Sequence, residues 1–322
     1  MGGVAVPRPV RNILNVNLGP MANQSKWQRL PTEGINPATQ AIDTIPMPDV
    51  IALMIADNRV VLDAVEQEKD RIALVADTFA EAVRNGGRLI FVGAGTSGRL
   101  GVLEAAEMPP TFGISPRLVH AVMAGGKNAV HRAKEGVEDD EKEGGRALGK
   151  LKPSKKDVVI GVSASGVTPF VRGALLRAAR AGSRCVGVTC DPKTEMRAFA
   201  DPVIALATGP EVIAGSTRLK AGTATKIVLN MLTTAAMIRL GKTYGNLMVD
   251  VQSNSAKLRD RGRRIIGTAT GLDDDEAGAL LRRAKGNVKA AIVMQKTGLT
   301  HARALQRLRA ARDSVRAAIG EA

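Results

Sequence analysis

Two short segments place hydroxyl side chains and glycine where an apolar strand would hand over to a helix. The first is Gly95-Thr96-Ser97-Gly98, and the second is Ser163-Ala164-Ser165-Gly166-Val167-Thr168-Pro169. Hydroxyls at a helix start stand beside free backbone N–H groups and the positive end of the helix dipole, a setting that favours a phosphate monoester. Two such loops can wrap one phosphate between them, although Ser, Thr and Pro also serve at these positions as ordinary helix starts. Carboxylates come next. Glu107 closes the helical stretch that begins at the first loop, and Glu138 stands in KEGVEDDEKEGG beside Asp139, Asp140 and Glu141. Two carboxylates in different surroundings suit an elimination, one ionised as base and one protonated as acid. The second cluster also reads as a solvated acidic helix end. A third region, residues 209–223, offers Glu211, Arg218 and Lys220 around a Ser-Thr helix start. It could hold an anion or pair with surface acids.

Gly93, Gly95 and Gly98 fit G-x-G-x-x-G. A nicotinamide-binding unit needs in addition an acid at the end of the next strand, to hold the ribose hydroxyl. That strand, 118–123, exits into Ala124-Gly125-Gly126-Lys127-Asn128, with no acid. His120, His131 and His301 have no metal-ligand spacing, and neither cysteine lies near one of them. No cofactor and no metal are therefore expected.

The elements that must position these groups are legible from periodicity. Residues 49–84 carry apolar side chains at three-and-four spacing and predict two helices, stopped by Asn85-Gly86-Gly87. Five short apolar runs follow at 89–92, 118–123, 158–162, 185–189 and 203–207, alternating with helical patterns. Runs apolar on both faces and separated by helices predict an α/β fold, a five-stranded parallel sheet sandwiched by helices. A long helix is expected over 216–240. Three more, opening near Asp273, Asn287 and Thr300, form a C-terminal three-helix unit. The domain reading is a tail or mis-assigned start over 1–31, with Met21 as an alternative start, an α/β phosphate-binding domain with its leading helices over 32–256, and the helical unit over 257–322.

The 322 residues carry a formal net charge of +15. Its location decides what it means: residues 1–32 hold four basic residues and no acid, residues 257–322 hold fifteen against seven, and the central domain is nearly balanced. With one Trp and one Tyr in the chain there is little to stack on bases, so no specific nucleic-acid partner is expected. No apolar stretch reaches the roughly 18 residues of a membrane span. Cys185 and Cys190, five apart in one strand, point to opposite faces and are expected to be reduced in a cytoplasmic protein.

The blocks GRLIFVGAGTSGRLGVLEAAEMPPTFG, HRAKEGVEDD, VVIGVSASGVTPFV, GPEVIAGSTRLKAGTATKIVLNMLTTAAMIRLGKTYGNLMVDVQ and TEGINPAT resemble the N-acetylmuramic acid 6-phosphate etherases of the sugar isomerase domain superfamily. The resemblance implies cofactor-free cleavage of the D-lactyl ether of N-acetylmuramate 6-phosphate, yielding N-acetylglucosamine 6-phosphate and D-lactate in peptidoglycan recycling. It implies Glu107 as the acid protonating lactate and Glu138 as the base at C2. Thr96, Ser97, Ser165 and Thr168 would hold the phosphate, with Gly95, Gly98, Ser163, Glu211 and Lys220 completing the expected binding set. It also implies a C-terminal unit resembling a ubiquitin-associated fold over about 274–308. Three positions depart from the family pattern: Val167 stands where Arg is usual, Glu104 where Asp is common, and Met108 where Cys is common. The change at Val167 is expected to remove a basic side chain near the phosphate.

A straight helix rises about 1.5 Å per residue, so Glu107, ten residues beyond Ser97, falls roughly 15 Å from the phosphate turn. Either that helix is short and bent, or Glu107 serves a site completed by a second subunit; a homodimer is expected. Two competing activities remain. A non-catalytic sugar-phosphate sensor would not need both carboxylates, and an aldose-ketose isomerase would not release lactate.

Overall fold

The computed structural model describes residues 29–250 and 256–321. The expected N-terminal tail therefore lies almost wholly outside the described residues. Among the described residues three α-helices lead into the sheet, α1 (Met47–Asn58), α2 (Val60–Glu66) and α3 (Lys69–Arg84). Two were expected; the chain breaks at Arg59 and again at Gln67-Glu68, so the pattern read as continuous belongs to separate segments. Then follow β1 (Leu89–Gly93), α4 (Gly95–Phe112), β2 (Val119–Met123), α5 (Asn128–His131), α6 (Glu141–Gly149), β3 (Val158–Val162), α7 (Pro169–Arg180), β4 (Arg184–Thr189), β5 (Val203–Ala205) and α8 (Lys220–Arg239).

The five strands are all parallel, in the order β2-β1-β3-β4-β5. Alternation along each strand divides the core in two. Leu89, Phe91, Ile160, Val188 and Cys190 pack with α2, α3 and α8 on one face. Ile90, Val92, Val159, Cys185 and Val203 pack with α6 and α7 on the other. The two cysteines, both free and buried, thus do lie on opposite faces, as their spacing requires. In this strand order the topology reverses between β1 and β3, and the crevice beyond the carboxyl ends at such a reversal is where α/β sheets take ligands.

α8 begins four residues later than expected. Gly215 has φ +76°, a conformation that ends any regular run there. The helix is capped at Lys220 instead, where the Glu211 carboxylate accepts from the backbone N–H groups of Lys220 (3.1 Å) and Ala221 (2.9 Å). Beyond it, a small hairpin of β6 (Thr243–Tyr244) and β7 (Leu247–Met248) leads to α9 (Ala256–Thr270), α10 (Asp274–Arg283), α11 (Val288–Thr297), α12 (His301–Ala310) and α13 (Val315–Ile319). The three expected helices are α10, α11 and α12, and their own core also takes Ile265 and Ile266 of α9 and Val315 and Ala318 of α13. Five helices rather than three therefore close this unit. Among the described residues no helix is long and apolar enough to cross a membrane.

Candidate active site

The carboxyl ends of β1 and β3 open into one cavity of about 550 Å³. Gly95, Thr96 and Ser97 line it from the first hydroxyl loop, Ser163, Ser165 and Thr168 from the second, and Glu138 from the segment after β2. Glycines make the first loop possible. A Cβ on Gly98 would stand 2.7 Å from the carbonyl oxygen of Gly93, and one on Gly101 would stand 2.8 Å from Phe91. Helix α4 can thus press onto β1 directly from a tight turn in which Gly95 has φ +52°. Ala94 gives the helix no side-chain cap, which leaves first-turn N–H groups for a ligand. Gly98, expected in the binding set, serves this packing and does not line the cavity.

The second loop is held by its own hydroxyls. Ser163 Oγ lies 2.7 Å from Thr168 Oγ1 and 3.4 Å from Ser165 Oγ, and accepts from the Gly166 N–H at 3.0 Å. Thr168 precedes α7 without bonding its N–H groups. The hydroxyls therefore form one connected polar row beside an uncapped helix start, an arrangement fit for an anion.

Glu138 sits half-buried on a 3-10 turn, Val137–Asp139, that enters through Gly136 at φ +76°. Asp139 is exposed and outside the cavity, and Asp140 caps α6 by accepting from Glu143 N–H at 2.7 Å. The acidic run thus divides into Glu135 and Glu138 at the cavity and neighbours with other surroundings. Arg99, Lys134 and Arg218 supply positive charge at the cavity. Arg99 also ties α4 to α5 by donating to the carbonyls of Val130 (2.9 Å) and Ala129 (2.7 Å).

Besides Gly98, three of the expected residues are not brought to this cavity. Glu107 stands exposed near the far end of α4, which neither stops short nor leaves Glu107 within the cavity of its own chain. Glu211 is 1% exposed and serves as the cap of α8. Burial pushes its carboxyl above the ordinary range, against the opposing pull of those two N–H bonds and of Lys220. Lys220 is 3% exposed, and its ammonium donates to Asp57 Oδ1 at 2.7 Å. Neither group is free for an anion. Val167, where the family usually has Arg, lines a neighbouring cavity with Arg29, Arg172 and Lys193 and is not among the residues lining this one. Glu104, one turn before Glu107, is buried between α4 and α8, where Asn230 and Thr233 donate to its two oxygens.

Glu33 and Glu135 are cavity carboxylates that the residue reading did not single out, and Glu33 reaches the cavity from outside the sheet. Its signal was the TEGINPAT block, in which Asn36 caps a following 3-10 turn by accepting from Ala38 N–H. Nothing in the spacing tied that block to a loop some sixty residues later.

The glucokinase regulatory protein N-terminal SIS domain matches residues 71–179. Among solved structures, phosphoheptose isomerase from Neisseria gonorrhoeae aligns over 59% of this chain and 98% of its own, with TM-score 0.46 and 15% identity. Curated relatives are much more similar. The N-acetylmuramic acid 6-phosphate etherase of Rubrobacter xylanophilus is 47% identical over 91% of this chain and 96% of its own. That of Mycolicibacterium smegmatis is 45% identical over 90% of this chain and 98% of its own. With such identity along nearly the whole length of both chains, this protein belongs to the N-acetylmuramic acid 6-phosphate etherase family.

Proposed function

We propose that this chain cleaves the D-lactyl ether of N-acetylmuramate 6-phosphate, releasing D-lactate and N-acetylglucosamine 6-phosphate. The observation that carries the reading is the single cavity in which two hydroxyl loops at helix starts face Glu138. Thr96, Ser97, Ser163, Ser165 and Thr168 hold the 6-phosphate, and Gly95 shapes the turn that brings the first loop to it. Arg218 and Lys134 add attraction for the substrate's negative charges.

Opening of the sugar ring exposes an aldehyde, which acidifies the proton on C2. Glu138 removes that proton; the electron pair forms the C2–C3 double bond as the C3–O bond breaks, and the departing lactate oxygen takes a proton from an acid. Water then returns a hydroxyl to C3 and a proton to C2. The acid is Glu107, and the length of α4 puts it out of reach of its own cavity. A second copy of the chain supplies it. Support for that copy comes from apolar side chains left exposed on three helices that pack together: Leu103 on α4, one turn before Glu107, Leu74 on α3, and Met231 and Ile238 on α8. Such a surface is expected to be covered. Free, buried cysteines fit a reducing cytoplasm. Incubation with N-acetylmuramate 6-phosphate followed by an enzymatic assay for D-lactate tests the reading; a sugar phosphate recovered unchanged would refute it.

A further inference from the structure

The cavity contains a carboxylate for which the acid-base chemistry has no task. Glu33 lines it with Ser97, Ser163, Thr168 and Glu138, and its side chain has no hydrogen-bond or ion-pair partner among the described residues. It arrives on a 3-10 turn, Pro31–Glu33, from a segment outside the sheet, and several bonds fix that segment. Asn36 Nδ2 donates to Asp57 Oδ1 at 3.0 Å and to the Pro210 carbonyl at 3.5 Å. Thr39 Oγ1 donates to the Val212 carbonyl at 2.9 Å. Asp57 is in turn held by the Lys220 ammonium, with side-chain exposures of 12% and 4% for the pair. Gly215 makes room at the far side, since a Cβ there would stand 3.1 Å from a Glu33 carboxylate oxygen.

A buried ion pair is an expensive way to gain stability, because desolvation cancels much of its attraction. Here the pair anchors the segment that carries one unpaired carboxylate over a binding cavity. That carboxylate cannot bind the phosphate, whose charge has the same sign. It matches neutral donors, the hydroxyl and amide N–H groups of a sugar.

We propose that Glu33 is a substrate-contacting carboxylate that accepts hydrogen bonds from the neutral donors of the phosphosugar, while the two hydroxyl loops take the phosphate. The assignment rests on the reading of this cavity as a sugar-phosphate site. Ligand-observed NMR on the full chain separates the two, with N-acetylglucosamine 6-phosphate and inorganic phosphate as probes. Glu33→Gln and Glu33→Ala are expected to raise the Kd of the sugar phosphate by about 10- to 100-fold, the effect of losing a hydrogen bond to a charged group. The Kd of inorganic phosphate should be unchanged. Asn36→Ala keeps Glu33 but frees its segment, and should weaken the sugar phosphate in the same direction. An unaltered Kd for the sugar phosphate in both Glu33 variants, or equal weakening of both probes, would overturn the proposal. Failure of the wild-type chain to bind the sugar phosphate would instead remove the reading of the cavity, and the role of Glu33 with it.

Discussion

If the acid comes from a second copy, activity should be recoverable from two dead variants. Glu107 lies ten residues past Ser97 in one unbroken helix, Gly95–Phe112, which at a rise of about 1.5 Å per residue is some 15 Å along the axis. No rotamer of a glutamate covers that gap. Glu107→Gln and Glu138→Gln should each lose about 10²- to 10⁴-fold in kcat, the usual cost of removing a general acid or base. Mixed in equal amounts and allowed to exchange subunits, they should form about half mixed dimers by random pairing of a two-fold assembly. In each mixed dimer one site carries both substitutions and the other carries neither, so D-lactate release should climb to about a quarter of the wild-type rate per subunit, the level set by that two-fold pairing. A pair of sites built within single chains gives no such recovery, because every site would keep one defect. Mixing with no gain, despite subunit exchange shown by native mass spectrometry, would refute the assignment of Glu107 to the neighbour's cavity.

Unphosphorylated N-acetylmuramate should react with kcat/KM lower by about 10²- to 10⁴-fold, since two or more charge-assisted hydrogen bonds of about 1.5–3 kcal/mol each are lost; equal values for both sugars, in a steady-state lactate assay, would exclude the hydroxyl loops as the phosphate cradle. Lys220→Met should destabilise the fold by about 3–5 kcal/mol, because it strands the nearly buried Asp57 carboxylate, and chemical denaturation would show it. A small change there would mean that Asp57 is already well solvated. Asp157 provides a pH test: burial pushes its carboxyl up, but bonds from Arg88 and from the Ser154 N–H prevail and hold it below the ordinary 3.8. A lowered carboxyl stabilises the fold above its unfolded-state pKa and loses that contribution as pH falls through its folded value, so the Tm gap between wild type and Arg88→Met should be widest near neutrality and close below about pH 4. A gap that stays constant to pH 3 would contradict the pairing.

What the sequence made legible was local or periodic. The strands announced themselves because both faces of each are buried, and the odd-even division of Leu89, Ile90 and Phe91 between two core clusters follows from the pleat alone. The hydroxyl loops were readable because hydroxyls, glycine and a helix start lie within a few residues of one another. What escaped depends on partners far along the chain. Lys220 looked like an anion binder because its counter-ion, Asp57, is 163 positions away, and Glu211 looked free because its task is to cap a helix whose start the periodicity misplaced. Glu33 escaped for the same reason, being carried to the cavity by bonds from Asn36 and Thr39 to Asp57, Pro210 and Val212. The helix rise gave the opposite case: arithmetic on α4 alone set Glu107 apart from the Gly95–Gly98 turn, and the unbroken helix keeps it there.

The central claim, elimination begun by Glu138 at C2 and completed by water, is tested most directly by the mass of the product formed in D₂O. Elimination followed by hydration returns a solvent proton to C2, so N-acetylglucosamine 6-phosphate should carry one carbon-bound deuterium there for each D-lactate released. Product formed with lactate but without deuterium at C2 would mean that the ether is cleaved by direct displacement, and would contradict the account.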